Sequence, residues 1–192
     1  MASDESPILA PQSPQEWAQW LEHNHSASPG VWLKLAKKGS GLNSPTYAQA
    51  LEAALCYGWI DGQKRAHDSA SWLQKFTPRG PRSIWSKVNR EKALELIEQD
   101  RMQPAGFVAI ERAKQNGQWD AAYESQSRAT VPADFQTALE ASPKAKAFFA
   151  TLNSVNRYAI LFRVQTAKKA QTRSRRIEQF IAMLERGEKI YP

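Results

Sequence analysis

The chain has 192 residues, 42% of them apolar, with 26 Lys and Arg against 19 Asp and Glu, a net charge of +7. That balance excludes disorder throughout, and the length suits one large domain or a domain with a helical appendage. The single cysteine, Cys56, excludes an internal disulfide, and no stretch holds the ~20 apolar residues of a membrane helix. Residues 1–15 lack the basic and apolar regions of a secretory leader, so a cytoplasmic protein with no membrane insertion is expected.

Ser13-Pro14-Gln15-Glu16 reads as a capping box that opens a helix, with Trp17, Trp20 and Leu21 as its apolar stripe. Residues 30–37 alternate as a strand. Ser44-Pro45 is expected to start a second helix carrying Tyr47, Leu51, Ala54 and Leu55, with Gly58 ending it in a left-handed conformation. Residues 59–66 and 71–77 read as two strands joined by the four-residue loop His67-Asp68-Ser69-Ala70, and Pro78 and Pro81 end the second. A third helix from Ser83 or Ser86 to about Arg101 places Val88, Ala93, Leu94 and Ile97 inward. Pro104 starts a fourth, which Gly117 stops.

Residues 121–131 read as a linker. Beyond it the pattern is helical: 132–141, 143–152, a helix capped by Ser154, and a last one from about Thr172 to Arg186 before Gly187. The fold class is therefore α+β: a small antiparallel sheet flanked by helices in residues 1–120, and an all-helical part in 132–192 expected to pack on it.

The charge is local. Residues 64–92 carry +6 and residues 157–176 carry +7 with no acid, so the remainder carries −6. Concentrated charge of this kind recruits anions. Arg79 and Arg82 lie on a proline-stiffened loop that leads into a helix start at Ser83 or Ser86. Guanidinium forks beside free first-turn amides form an anion site. The candidate ligand-binding set is Arg79, Arg82, Ser83, Trp85, Ser86, Lys87 and Asn89, with Asp61 and Lys64 from the preceding strand. Salt bridges within the fold are the other reading of the arginines, and a core plug is the other reading of Trp85. Asp61 reads as a general base or, more simply, as the partner of a nearby arginine. The ligand expected here is an anionic small molecule or an acidic protein partner.

The second basic patch comprises Arg157, Arg163, Lys168, Lys169, Arg173 and Arg176 on two helices and their link. Nucleic acid is the alternative partner it suggests. No catalytic motif is recognised, no metal site is expected at His23 and His25, and no cofactor is implied. Cys56, at the end of an apolar helix, reads as a buried thiol.

The runs W-I-D-G-Q-K-R (59–65), S-W-L-Q-K-F-T-P-R-G-P-R-S-I-W-S-K-V-N-R (71–90), N-R-Y-A-I-L-F-R-V-Q-T-A-K (156–168) and T-R-S-R-R-I (172–177) resemble the bacteriocin-protection, YdeI/OmpD-associated family. The resemblance extends from about Trp17 to Gly187. It implies a bacterial protein with a role in resistance to bacteriocins or cationic peptides, and it implies no catalytic mechanism or cofactor. A chain of +7 repels cationic peptides, so an indirect or regulatory role fits the resemblance better than trapping them.

Overall fold

The computed structural model describes residues 6–192; positions 1–5, part of the segment read above for a leader, lie outside the described residues. The chain divides into two compact units, Met1–Trp85 with Asn89–Asp120, and Ser86–Val88 with Ala121–Pro192.

The first unit is built on a four-stranded mixed sheet in the order β1-β2-β4-β3, where β1 is Ile8–Leu9, β2 Val31–Ala36, β3 Trp59–Ala66 and β4 Ser71–Pro78. The antiparallel set β2-β4-β3 is the sheet expected from alternation, with the His67–Ala70 loop joining β3 and β4. The two-residue β1 pairs parallel to β2 and adds an edge that alternation does not reveal. Helix α1 (Pro14–Asn24) starts where Ser13 Oγ accepts from Glu16 N at 3.2 Å.

Helix α2 (Tyr47–Cys56) starts two residues later than the Ser44-Pro45 signal, because Thr46 and Gln49 form its capping box. Ser44 Oγ instead accepts from Ala36 N at 2.9 Å, tying the loop to β2. Gly58 follows with a φ of 72°, as expected.

Val31, Leu33 and Leu35 point to one sheet face, where they pack with Trp17 and Leu21 of α1, Ala50 and Ala54 of α2, Trp59 and Phe76. Full burial of each large side chain contributes about 1.5–3 kcal/mol. The polar ends are satisfied: the Trp17 indole donates to Ala50 O at 3.0 Å and the Trp59 indole to His25 O at 3.1 Å. A bulge in β3 between Asp61 and Lys64 leaves carbonyls off the ladder. The buried Gln74 amide donates to Gly62 O at 3.0 Å and Gln63 O at 3.2 Å and fills that gap. On the opposite sheet face Trp32 lies under Arg65, at 4.3 Å, and Lys75, at 5.3 Å.

Helix α3 (Lys87–Glu98) is shorter than the pattern suggested. It buries Ala93 and Leu96, whereas Val88 and Leu94 are exposed. The inward stripe is thus shifted from the one the larger side chains proposed. Helix α4 (Pro104–Gln115) begins at the proline and approaches the end of α2 closely, with Gly106 against Cys56.

The second unit is helical. Ser86 bridges to Tyr123, and α5 (Ala133–Ala141), α6 (Pro143–Thr151), α7 (Ser154–Gln165) and α8 (Ala170–Glu185) follow. Phe135, Leu139, Phe149, Ile160, Val164 and Leu184 form its core. Helix α7 is capped by Asn153, one residue before the expected Ser154. The buried Asn156 accepts from Tyr191 N at 2.9 Å and donates to Tyr191 O at 3.3 Å, holding the terminal segment. No helix among the described residues is long and apolar enough to cross a membrane.

Candidate functional site

In the first unit the loop after β4 is fixed at several points. Arg79 N donates to Gly58 O at 2.9 Å and Ser83 N to Gly80 O at 3.0 Å. From α4, Arg112 donates to Arg79 O at 3.4 Å and Asn116 to Pro81 O at 3.0 Å. The Arg79 guanidinium lies 3.6 Å from the Trp85 ring centroid and donates to Ile84 O at 3.2 Å. Both residues are buried, at 6% and 3% exposure. Trp85 meets the Trp119 ring edge-on at 4.8 Å. The space left among Arg79, Ser83, Trp85 and Arg112 is about 10 Å³, the lower limit for a single water. Arg82 is exposed, while Ser83 and Asn89 are half-buried.

The other residues of this set each have their own partners. Asp61 accepts from the Tyr47 hydroxyl at 2.7 Å, so its partner there is a phenol rather than an arginine. Lys64 lies 4.6 Å from the Trp72 ring. Ser86 and Lys87 count with the second unit, where Lys87 N donates to Tyr123 O at 2.9 Å and the Lys87 ammonium pairs with Glu124. Cys56 is buried, and burial pushes its thiol up, which disfavours the thiolate. A cleft of about 540 Å³ beside it is lined by Gln49, Glu52, Tyr57 and Arg101 and includes none of the predicted residues.

The second basic patch lies wholly in the second unit, around the turn from α7 to α8. Three of its arginines donate to carbonyls of α7, and two of them, Arg173 and Arg176, do so in its last turn, where the helix dipole is negative. Arg163 donates to Ala159 O at 2.8 Å, Arg173 to Val164 O at 2.8 Å, and Arg176 to Arg163 O. Arg173 also forks onto Asp134, with Nε at 2.5 Å and Nη2 at 2.9 Å, which holds that carboxyl below its usual range. Lys168 and Lys169 are exposed in the connection. Helix α8 begins behind Lys169 with no side-chain cap and no acid in its first turn. Its first amides are therefore available to an acceptor from outside the helix.

Arg175 is exposed in the second turn of α8. It is not among the residues the sequence reading singles out: helical spacing groups Arg173 with Arg176 and turns Arg175 to another side, which is the exposed one. Arg157 sits apart at the start of α7, its guanidinium 5.0 Å from the Phe149 ring.

The division of charge is sharper than the sequence segments suggested. The second unit holds 13 Lys and Arg against 6 Asp and Glu, so it carries the whole net charge of +7 and the first unit is neutral.

Residues 128–187 match the family described as Bacteriocin-protection, YdeI or OmpD-Associated. Residues 9–109, more than half of the chain, match the Domain of unknown function (DUF8412) family. The chain belongs to the DUF8412 family and carries a bacteriocin-protection, YdeI/OmpD-associated domain. The bacteriocin-protection domain takes in α5 to α8 and the runs 156–168 and 172–177, whereas the run 71–90 falls within the other match. No curated protein and no solved structure matched the chain.

Proposed function

We propose that the chain is a bacterial cytoplasmic binding protein whose bacteriocin-protection domain engages the phosphate backbone of nucleic acid at the α7–α8 turn. The observation that carries this reading is the concentration of the entire +7 in that unit, with no acid between residues 157 and 176. Lys168, Lys169 and Arg175 supply exposed cations, and the uncapped amides of α8 supply donors aimed at an oxyanion. The loop at Arg79 is a weaker candidate for the anion: its buried arginine is stacked and bonded within the fold, and the space beside it barely admits one water.

This reading also accommodates the family's description. A domain of +7 repels cationic peptides, so protection by sequestering them is disfavoured. A nucleic-acid binder reaches bacteriocin resistance and an association with OmpD indirectly, through control of expression. The reading is tested by fluorescence anisotropy with a labelled duplex of about 20 base pairs at low salt. The triple variant Lys168→Gln, Lys169→Gln, Arg175→Gln is expected to bind at least tenfold more weakly than the parent chain. Absence of binding by the parent chain contradicts the reading. Tight binding of polyglutamate with none of DNA transfers the site to an acidic protein partner.

A further inference from the structure

Arg157 differs from the other arginines of the patch. Arg163, Arg173 and Arg176 each donate to a backbone carbonyl of α7. Arg157 is exposed at the other end of that helix, backed by the Phe149 ring at 5.0 Å, and no carboxylate pairs with it among the described residues. Arg157 lines a pocket of about 320 Å³ formed within the second unit, where Gln126 and Ser154 stand beside Val131, Leu152, Leu161 and Tyr158. Leu152 and Leu161 belong to the buried core, so the floor of the pocket is apolar and held by packing. The Tyr158 hydroxyl is already committed, donating to Glu124 O at 3.0 Å.

We infer that this pocket binds an amphipathic carboxylate, with the acid group on Arg157 and a compact apolar body against Val131, Leu152 and Leu161. A guanidinium held over an aromatic ring and without a carboxylate partner keeps its N–H groups for a planar, two-point partner, which a carboxylate provides. An apolar floor with a few polar groups, here Gln126 and Ser154, around one charged group is the usual composition of a small-ligand site. A pocket of about 320 Å³ is at the small end of ligand sites, which suits a medium acyl chain or one hydrophobic residue at a peptide C-terminus. A nucleic-acid phosphate has no apolar body to fill it. The inference is independent of the α7–α8 turn, since none of Lys168, Lys169 and Arg175 lines the pocket.

The test is calorimetric titration of the full chain with sodium octanoate, octanol, N-acetyl-Leu-Phe and the corresponding amide. Octanoate is expected to bind more tightly than octanol, and the free acid of the dipeptide more tightly than its amide. Whichever acid binds more tightly identifies the source as a free fatty acid or a peptide end. Arg157→Gln is expected to weaken the acids at least tenfold while leaving octanol unchanged, and Arg157→Lys to recover part of the loss. Ala129→Phe, at a half-buried position on the pocket wall, is expected to abolish binding of all four. Lys168→Gln with Lys169→Gln is expected to change none of them. Unaltered circular dichroism establishes that the variants are folded. Failure of both acids to bind the parent chain saturably, or equal affinity of the acids for Arg157→Gln, overturns the inference.

Discussion

The guanidinium of Arg79 lies 3.6 Å from the ring centroid of Trp85, and both side chains are buried. A desolvated cation over an indole is worth about 2 kcal/mol, and the arginine stem adds packing against the same ring. Arg79→Ala is therefore expected to lower unfolding free energy by about 2–3 kcal/mol in urea titration. Arg79→Lys is expected to recover only part, because an ammonium lacks the planar stack. Arg82→Ala, on the exposed side of the loop, is expected to stay within about 0.5 kcal/mol of the parent chain.

Gly106 stands in a helix where alanine has the higher propensity, by about 1 kcal/mol. Yet an added Cβ would overlap Met102 Sδ and the Cys56 carbonyl oxygen. Backbone cannot yield as a side chain can, so Gly106→Ala is expected to destabilise the first unit by about 1–3 kcal/mol despite its propensity. Thermal unfolding of the variant checks the sign.

Within the second basic patch, stability and binding are carried by different residues. Arg173→Gln removes the fork on Asp134 and the bond to Val164 O, at partly exposed positions. A loss of about 1 kcal/mol is expected, with little of it from the ion pair itself. Lys168→Gln makes no such change and is expected to leave the urea midpoint unaltered while weakening duplex binding. Equal effects of the two substitutions on stability would remove that distinction.

Asp68 sits in the β3–β4 loop and accepts from the Ser71 hydroxyl at 2.7 Å and from the Ala70 and Ser71 amides. The Ser71 hydroxyl bond leads the causes that lower its carboxyl from 3.8 to about 2, with Lys34 contributing. A lowered folded-state value means that the stabilisation is fully present above the unfolded value and is lost as pH falls through about 2. Carbon-detected titration is expected to find Asp68 ionising near that value, and Ser71→Ala to raise it. A parent chain that titrates at the ordinary 3.8 contradicts the loop geometry.

Local signals were the legible part of this fold. The Ser13 cap, the His67–Ala70 loop, Pro104 at the start of α4 and the left-handed Gly58 and Gly187 all depend on a few neighbouring residues. What escaped the sequence depends on distant partners. β1 is two residues long and exists because it pairs with Trp32 and Leu33. Ser44 carries the signature of a cap, but its hydroxyl is used by Ala36, eight residues away.

The same holds for the candidate site. Charge density located both basic segments, but the sequence could not tell which guanidinium faces a ring, a carbonyl or solvent. Arg79 turns onto Trp85, six residues ahead, whereas Arg176 reaches Arg163 on the preceding helix. Nor could it show that the second unit alone carries the net charge, since the neutrality of the first becomes countable only once Ser86–Val88 is assigned to the second.

The most direct measurement of the central claim is the salt dependence of duplex binding by the full chain. If Lys168, Lys169 and Arg175 each neutralise one phosphate, the log–log slope of affinity against salt is expected near −2.7, at about −0.9 per contact. The triple glutamine variant is expected to flatten that slope by about the same amount. A parent chain that fails to bind at low salt, or a slope the triple substitution leaves unchanged, contradicts it.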